Sequence, residues 1–298
     1  MSEAQTIITK ARLPDAMPAR RGFWQTLAYH ARRNPIGTIG AVVILTVVLV
    51  ALFAPLIAPF EPTAQKARRL LPPSATHLLG TDELGRDAFS RIVFGARISL
   101  YVGLISVSLA LTIGTTIGVL CGYIGGMFDN LLMRLVDIML AFPGLVLAIV
   151  IAGLLGPSLT NAMIAIGIIY APAYARIARS SVLSVQAEPY IEAARLIGGR
   201  HLHIIRWHIL PNIMAPLIVQ TSLMMSIAIL SEAALSFLGL GTQPPNPSWG
   251  VMLSTGRGFM ERAPWLTIFP GLAIMIVVLG FNFLGDGLRD ALDPRMRE

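Results

Sequence analysis

The chain has 298 residues, of which 55% are hydrophobic and only 13% charged. A soluble domain carries about 25% charged residues, so a disordered tail, a nucleic-acid binder and an ordinary cytosolic enzyme are poor fits. The net charge of +7, spread over so apolar a chain, points to a lipid surface, and the single cysteine, Cys121, excludes an internal disulfide or a multi-cysteine metal cage.

In chain order, residues 1–20 read as a cytoplasmic tail. Residues 22–33 place Phe23, Trp24, Leu27, Ala28 and Ala31 at helical spacing before Arg32 and Arg33, the pattern of a helix lying in the membrane surface. Charge-free runs follow at 36–60, 98–127, 138–175, 209–231 and 263–285. A bilayer core needs about 20 apolar residues of helix. The 38-residue third run is broken at Gly156-Pro157-Ser158 into two spans, and the second run fades into glycines after Cys121. The expectation is an all-α membrane protein with six spans. The first run, 36–60, holds 15 Leu, Ile, Val and Phe residues. They contribute about −5 to −9 kcal/mol to insertion, and no charge opposes them. The run exceeds the ~7–15 residues of a signal-peptide core, and 35 residues precede it, so it reads as a retained anchor.

The expected organisation is a tail and interfacial helix over 1–35, a first span over 36–60, and an outer segment over 61–97. A five-span core over 98–285 follows, with an inner loop at 176–208, and then an inner tail over 286–298. With both termini inside, the inner segments carry 15 Lys and Arg against 8 outside, which favours that orientation. The outer segment carries Gly80-Thr81-Asp82-Glu83-Leu84-Gly85-Arg86-Asp87, read as a capped turn entering an amphipathic helix. The loop 237–250 is too rich in Gly and Pro for a helix and is expected to dip toward the membrane, with Trp249 and Trp265 at the outer interface.

Catalytic signatures are missing. Lys occurs only at Lys10 and Lys66, neither after a glycine, so no phosphate-binding G-x-x-x-x-G-K-[ST] loop exists. There is no H-E-x-x-H or G-x-S-x-G, and His201, His203 and His208 read as polar residues beside the membrane. Glu232, near the end of the fifth span, is either a functional carboxyl or an interfacial residue. Asn161, Gln220, Ser222, Ser226 and Asn282 are explained most cheaply by helix–helix hydrogen bonds. The Met224-Met225 pair reads as core packing. The candidates for a translocation path are Asn161, Gln220, Met224, Ser226, Glu232 and Asn282.

The inner loop is the most informative stretch. Pro189 suits a first helical turn, and Tyr190, Ile191, Ala194 and Ile197 fall on one side. Glu192 and Arg195 lie on the polar side, and Gly198-Gly199 stops the helix. A second helical stretch, 202–210, leads into Pro211. Glu192-Ala193-Ala194, three residues, Gly198, nine residues, then His208-Ile209-Leu210-Pro211 resembles the E-A-A-x3-G-x9-I-x-L-P signature of permease subunits of bacterial ABC importers, with His208 in the isoleucine slot. The stretches 79–87, 237–250 and 285–295 are similar to the C-type permeases of dipeptide, oligopeptide and nickel importers.

That resemblance implies a type I ABC importer permease fold in the bacterial inner membrane. It implies a homologous B-type permease as partner, two ATPase subunits using ATP and Mg, and a periplasmic substrate-binding protein. This chain would bind no cofactor and catalyse nothing itself. Tyr190, Ile191, Glu192, Ala193, Ala194, Arg195, Ile197 and Gly198 would form the coupling helix that docks on one ATPase. Short peptides are the expected cargo, with nickel complexes and glutathione-like solutes as alternatives. A secondary transporter is the rival reading, for which the spans show no convincing repeat.

Overall fold

A computed structural model describes residues 34–292. The expected tail, the interfacial helix at 22–33 and the last residues of the inner tail lie outside the described residues. Helix α1 (Pro35–Leu52) is followed by one turn, α2 (Ala54–Ile57). A non-helical segment leads to α3 (Ala88–Ile124), α4 (Gly126–Ala141), α5 (Gly144–Leu155) and α6 (Leu159–Gln186). The short α7 (Pro189–Leu196) precedes α8 (His201–Ile204), which runs through a widened turn, Ile205–Ile209, into α9 (Leu210–Phe237). Helix α10 (Trp249–Gly256) and α11 (Trp265–Leu292) complete the described chain. Five helical stretches are long and apolar enough to cross a membrane, or six if the bent pair α4–α5 counts as one span.

The centre of the bundle is the α3–α6 pair. A side chain at Gly114 would collide with the carbonyl of Ala171, and one at Gly118 with that of Ala175. A Cβ at Gly122 would lie 2.9 Å from that of Val182. The four-residue spacing of these glycines puts them on one stripe, so the two backbones approach closely, the usual basis of helix association in lipid. Cys121 is buried beside this seam, as a small apolar residue.

The structure departs from the sequence expectations in four places. First, the amphipathic helix after Asp87 and the second span are a single 37-residue helix, about 55 Å long. Asp87 caps it by accepting from the Ser90 amide at 2.8 Å, and nothing between breaks it. Second, the third span is not straight, and the segment before it, expected as an inner loop, is helical. α4 and α5 meet at 95° across Phe142-Pro143. The proline ring forces Phe142 to an extended ψ of 143° and so ends α4. Third, α6 continues to Gln186, beyond the predicted end at 175. Fourth, Trp249 is 2% exposed and donates from its indole to the Ile92 carbonyl at 3.0 Å. It begins α10 and fills the notch at Gly95, so it is a core residue rather than an interfacial anchor.

The segment between α2 and α3 is held by a polar knot that agrees with the expected capped turn. Asp82 accepts from the backbone amides of Leu84 and Arg86, both at 2.9 Å, and from the Arg86 guanidinium at 2.6 Å. His77 bonds Asp87 at 2.9 Å, and Arg91 donates to the Pro62 carbonyl at 3.0 Å. Each of these buried charges has a partner, as burial requires.

Candidate functional site

Helix α7 is built by the chemistry expected of it. Pro189 stands in its first turn, and Glu188 precedes it with extended backbone. At its far end Gly198 adopts φ +82°, a conformation that costs an L side chain. The amide of Gly199 then returns to the Ala194 carbonyl at 3.0 Å, closing the helix.

The predicted packing face of α7 is divided by the structure. Ile191 is fully buried and Ala194 is 9% exposed, both within the core that contains Val182 and Ile204. They fasten α7 to α6 and α8 of its own chain and present nothing outward. Eight residues of helix do not hold themselves together in water, so part of the face must serve as an anchor. The outward surface consists of Glu192, Ala193, Arg195, Leu196 and Ile197, with Tyr190 half-exposed at the edge. Leu196 and Ile197 are 82% and 87% exposed, and Leu202 stands beside this turn region at 76%. Neither Leu196 nor Leu202 was singled out by the sequence reading. Their signal is local, since Leu196 lies two residues before Gly198 and Leu202 three residues after Gly199, two large apolar side chains flanking a helix break. Arg195 lies over the Tyr123 ring at 5.6 Å, and the Tyr123 hydroxyl meets His201 Nδ1 at 2.8 Å, so the end of α3 braces the loop. Glu192 makes no ion pair among the described residues.

Of the candidate path residues, Ser226 and Asn282 meet each other, while Asn161 and Glu232 bond to their own loops. Asn161 donates to the carbonyls of Leu155 at 2.8 Å and Gly156 at 2.9 Å, closing the end of α5. Ser226 on α9 donates to Asn282 on α11 at 3.0 Å, a helix–helix hydrogen bond. Met224 is 8% exposed and packs in the core, and Gln220 is half-buried. Glu232 is fully buried, which overturns the interfacial reading. Its Oε1 accepts from Ser236 at 2.7 Å, Ser248 at 3.0 Å and Thr242 at 3.3 Å, while Oε2 has no partner. The Ser236 hydroxyl in turn accepts from the Thr242 amide at 2.9 Å. Glu232 therefore pins the 238–248 loop and the start of α10 onto the end of α9.

From the end of α7 to this buried cluster the helical path is nearly continuous, because His201–Phe237 forms a single 37-residue stretch. Pro211, lacking an amide proton, stands where the widened turn at 205–209 returns to regular helix. The arrangement holds no catalytic constellation among the described residues. The His201–Phe237 stretch has the exposed turn after α7 at one end and the Glu232-pinned loop at the other.

Comparison with known proteins agrees with this geometry. Residues 114–298 match the family described as binding-protein-dependent transport system inner membrane component. Residues 22–73 match the N-terminal transmembrane domain of oligopeptide transport permease C. The chain is 50% identical to the dipeptide transport system permease protein DppC of Alkalihalophilus pseudofirmus, over 92% of this chain and 90% of that one. It is 49% identical to the di/tripeptide permease DppC of Pseudomonas aeruginosa, over 92% of both chains. It is 42% identical to the glutathione permease GsiD of Pectobacterium atrosepticum, over 93% and 91%. Among solved structures, a chain of the MetNI methionine ABC transporter, in an inward-facing conformation, shares the fold. It has a TM-score of 0.57 and 20% identity, covering 69% of this chain and 97% of that one. With the family model matched over residues 114–298 and a 50%-identical relative matched over 92% of its length, this chain belongs to the binding-protein-dependent transport system inner membrane components, as a permease subunit of an ABC importer.

Proposed function

We propose that this chain is the C-type half of a permease that moves dipeptides into the bacterial cytoplasm by alternating access. It pairs with a homologous B-type permease in the inner membrane. Both termini lie inside, as the excess of Lys and Arg in the segments assigned to that side favours. A periplasmic binding protein delivers the peptide, and two ATPases on the cytoplasmic side bind and hydrolyse ATP with Mg. The dipeptide assignment is supported by the 50% identity to a dipeptide permease over nearly the whole chain.

The observation that carries the coupling role is the exposed apolar pair Leu196–Ile197 beside Glu192, on a helix otherwise fastened to its own chain. Apolar residues this exposed outside the spans favour burial against a partner protein. Glu192 is available to a basic group of the ATPase, and Ala193 allows close approach. Because α7 is anchored through Ile191 and Ala194, a push on it passes to α6 and to the α8–α9 stretch as a rigid-body displacement. ATP binding in the partners biases that displacement between inward-open and outward-open arrangements.

The test is uptake of a labelled dipeptide in proteoliposomes containing the complete importer. Glu192→Lys and Gly198→Leu should each abolish ATP-dependent uptake while the chain still inserts and binds its sister permease. Normal uptake in both variants removes the coupling assignment. Uptake that persists without ATP supports the secondary-transporter reading instead. Competition by unlabelled dipeptide but not by glutathione separates the dipeptide cargo from the one named for the 42%-identical relative.

A further inference from the structure

A pocket of about 560 Å³ lies between α4 and α6, lined by Asn130, Met133, Arg134, Asp137, Arg176 and Arg179. Its charges are unequally satisfied. Arg179 donates twice to Asp129, both at 2.6 Å, and that pair is closed on itself. Arg176 donates to Asp137 at 2.7 Å through one nitrogen, and both side chains are 60% exposed. Arg134 is exposed and makes no hydrogen bond or ion pair among the described residues. With two Arg–Asp pairs cancelling, the pocket retains one whole guanidinium and the spare donors of a second, a match for one anionic oxygen cluster.

The neighbouring face of α4 decides what kind of anion this is. Met127, Phe128, Leu131, Leu135 and Ile138 are between 42% and 87% exposed. At 100° per residue they form one stripe along α4, while Asn130, Arg134 and Asp137 form the stripe beside it. A soluble anion has no use for that apolar stripe. An amphiphile does, because its headgroup meets the arginines while its chains lie along the stripe. Basic pockets between membrane helices recognise acidic headgroups in this way. We propose that the α4–α6 pocket binds the phosphate of an acidic phospholipid, cardiolipin or phosphatidylglycerol, whose acyl chains cover the exposed face of α4. None of its lining residues belongs to α7, and its occupancy does not depend on transport.

Native mass spectrometry of the full-length chain, titrated with cardiolipin, phosphatidylcholine or inorganic phosphate, tests this. The wild type should hold cardiolipin at least about tenfold more tightly than phosphatidylcholine, from roughly two arginine–phosphate contacts. R134Q/R176Q should lose that preference and R134K/R176K should keep most of it. The Arg179–Asp129 pair is untouched in both, and R134Q alone, which breaks no bond, provides a second variant if the double one misfolds. Equal retention of the two lipids by the wild type, or an unchanged preference in R134Q and R134Q/R176Q, overturns the proposal. Displacement of cardiolipin by millimolar inorganic phosphate overturns it too, by making the pocket a free-anion site. None of these readouts uses ATP or peptide, so they stand apart from the transport assignment.

Discussion

Helices α1 and α6 invert the usual link between hydropathy and burial. α1 is the most apolar of the five spanning candidates, yet only 17% of its spanning window is buried. α6 is the least apolar, yet 61% is buried. In water the most apolar segment would sit at the centre. In lipid it sits at the edge, because acyl chains satisfy Leu, Ile and Val as well as protein does. The central helix is instead distinguished by small residues facing small residues, with Ala171, Ala175 and Ala178 set against Gly114 and Gly118. Hydropathy therefore locates the spans, and small-residue spacing decides which of them meet.

The sharpest way to break this comparison is to fill the α3–α6 seam. Gly118→Leu adds four carbons where the Ala175 carbonyl and the Ala178 Cβ already stand, the latter 2.7 Å from any new Cβ. The two backbones already touch here, so a loss of about 3 kcal/mol is expected, at the upper end of overpacking costs. The readout is the yield of folded chain in membranes and its unfolding temperature in detergent. Wild-type stability in this variant would mean the seam is looser than its geometry.

A smaller effect is expected at the buried carboxyl. Glu232→Leu leaves the hydroxyls of Ser236, Thr242 and Ser248 without their shared acceptor. Unsatisfied buried donors cost about 1–3 kcal/mol, part of it recovered as the hydroxyls find backbone acceptors. Glu232→Gln keeps a carbonyl oxygen at Oε1 and should lose less. Thermal unfolding ranks the three proteins, and proteolysis within 238–248 should increase in the leucine variant first. If Gln and Leu are equally destabilised, the charge rather than the acceptor oxygen holds the loop.

The same contrast explains what was legible beforehand. The apolar runs, the stop at Gly198 and the capped turn at Asp87 are local, and each is written in a few adjacent residues. The bend at Phe142-Pro143 was also local, but it lies inside a run whose length invites a straight span. Other features depended on what lies across a helix. Ile191 and Ala194 look no different from Ile197 in sequence, and only the position of α6 and α8 turns the first two inward. Trp249 has the composition of an interfacial anchor, and the notch at Gly95, more than 150 positions away in the chain, makes it a core residue. Of the α3 glycines Gly122 reads in sequence only as the fading end of a span and nothing local marks Gly114 or Gly118, because their partners on α6 are distant in sequence.

The finest test compares two positions on α1 itself. Its contact with α11 has the same character as the α3–α6 seam on a smaller scale. A side chain at Gly40 would meet the Leu284 backbone and come within 2.8 Å of the Gly280 carbonyl. Gly40→Leu should displace α1 from α11 while leaving the α3–α6 core folded. A disulfide crosslink between cysteines introduced across the two helices should weaken, with the main unfolding transition shifted by less than in Gly118→Leu. Leu45 lies on the other side of α1 and is 59% exposed. Leu45→Ala should change stability by no more than about 0.5 kcal/mol, because the residue exchanges lipid contact for lipid contact. A larger loss at Leu45 than at Gly40 would reverse the argument, since side-chain apolarity rather than backbone approach would then hold α1 in place.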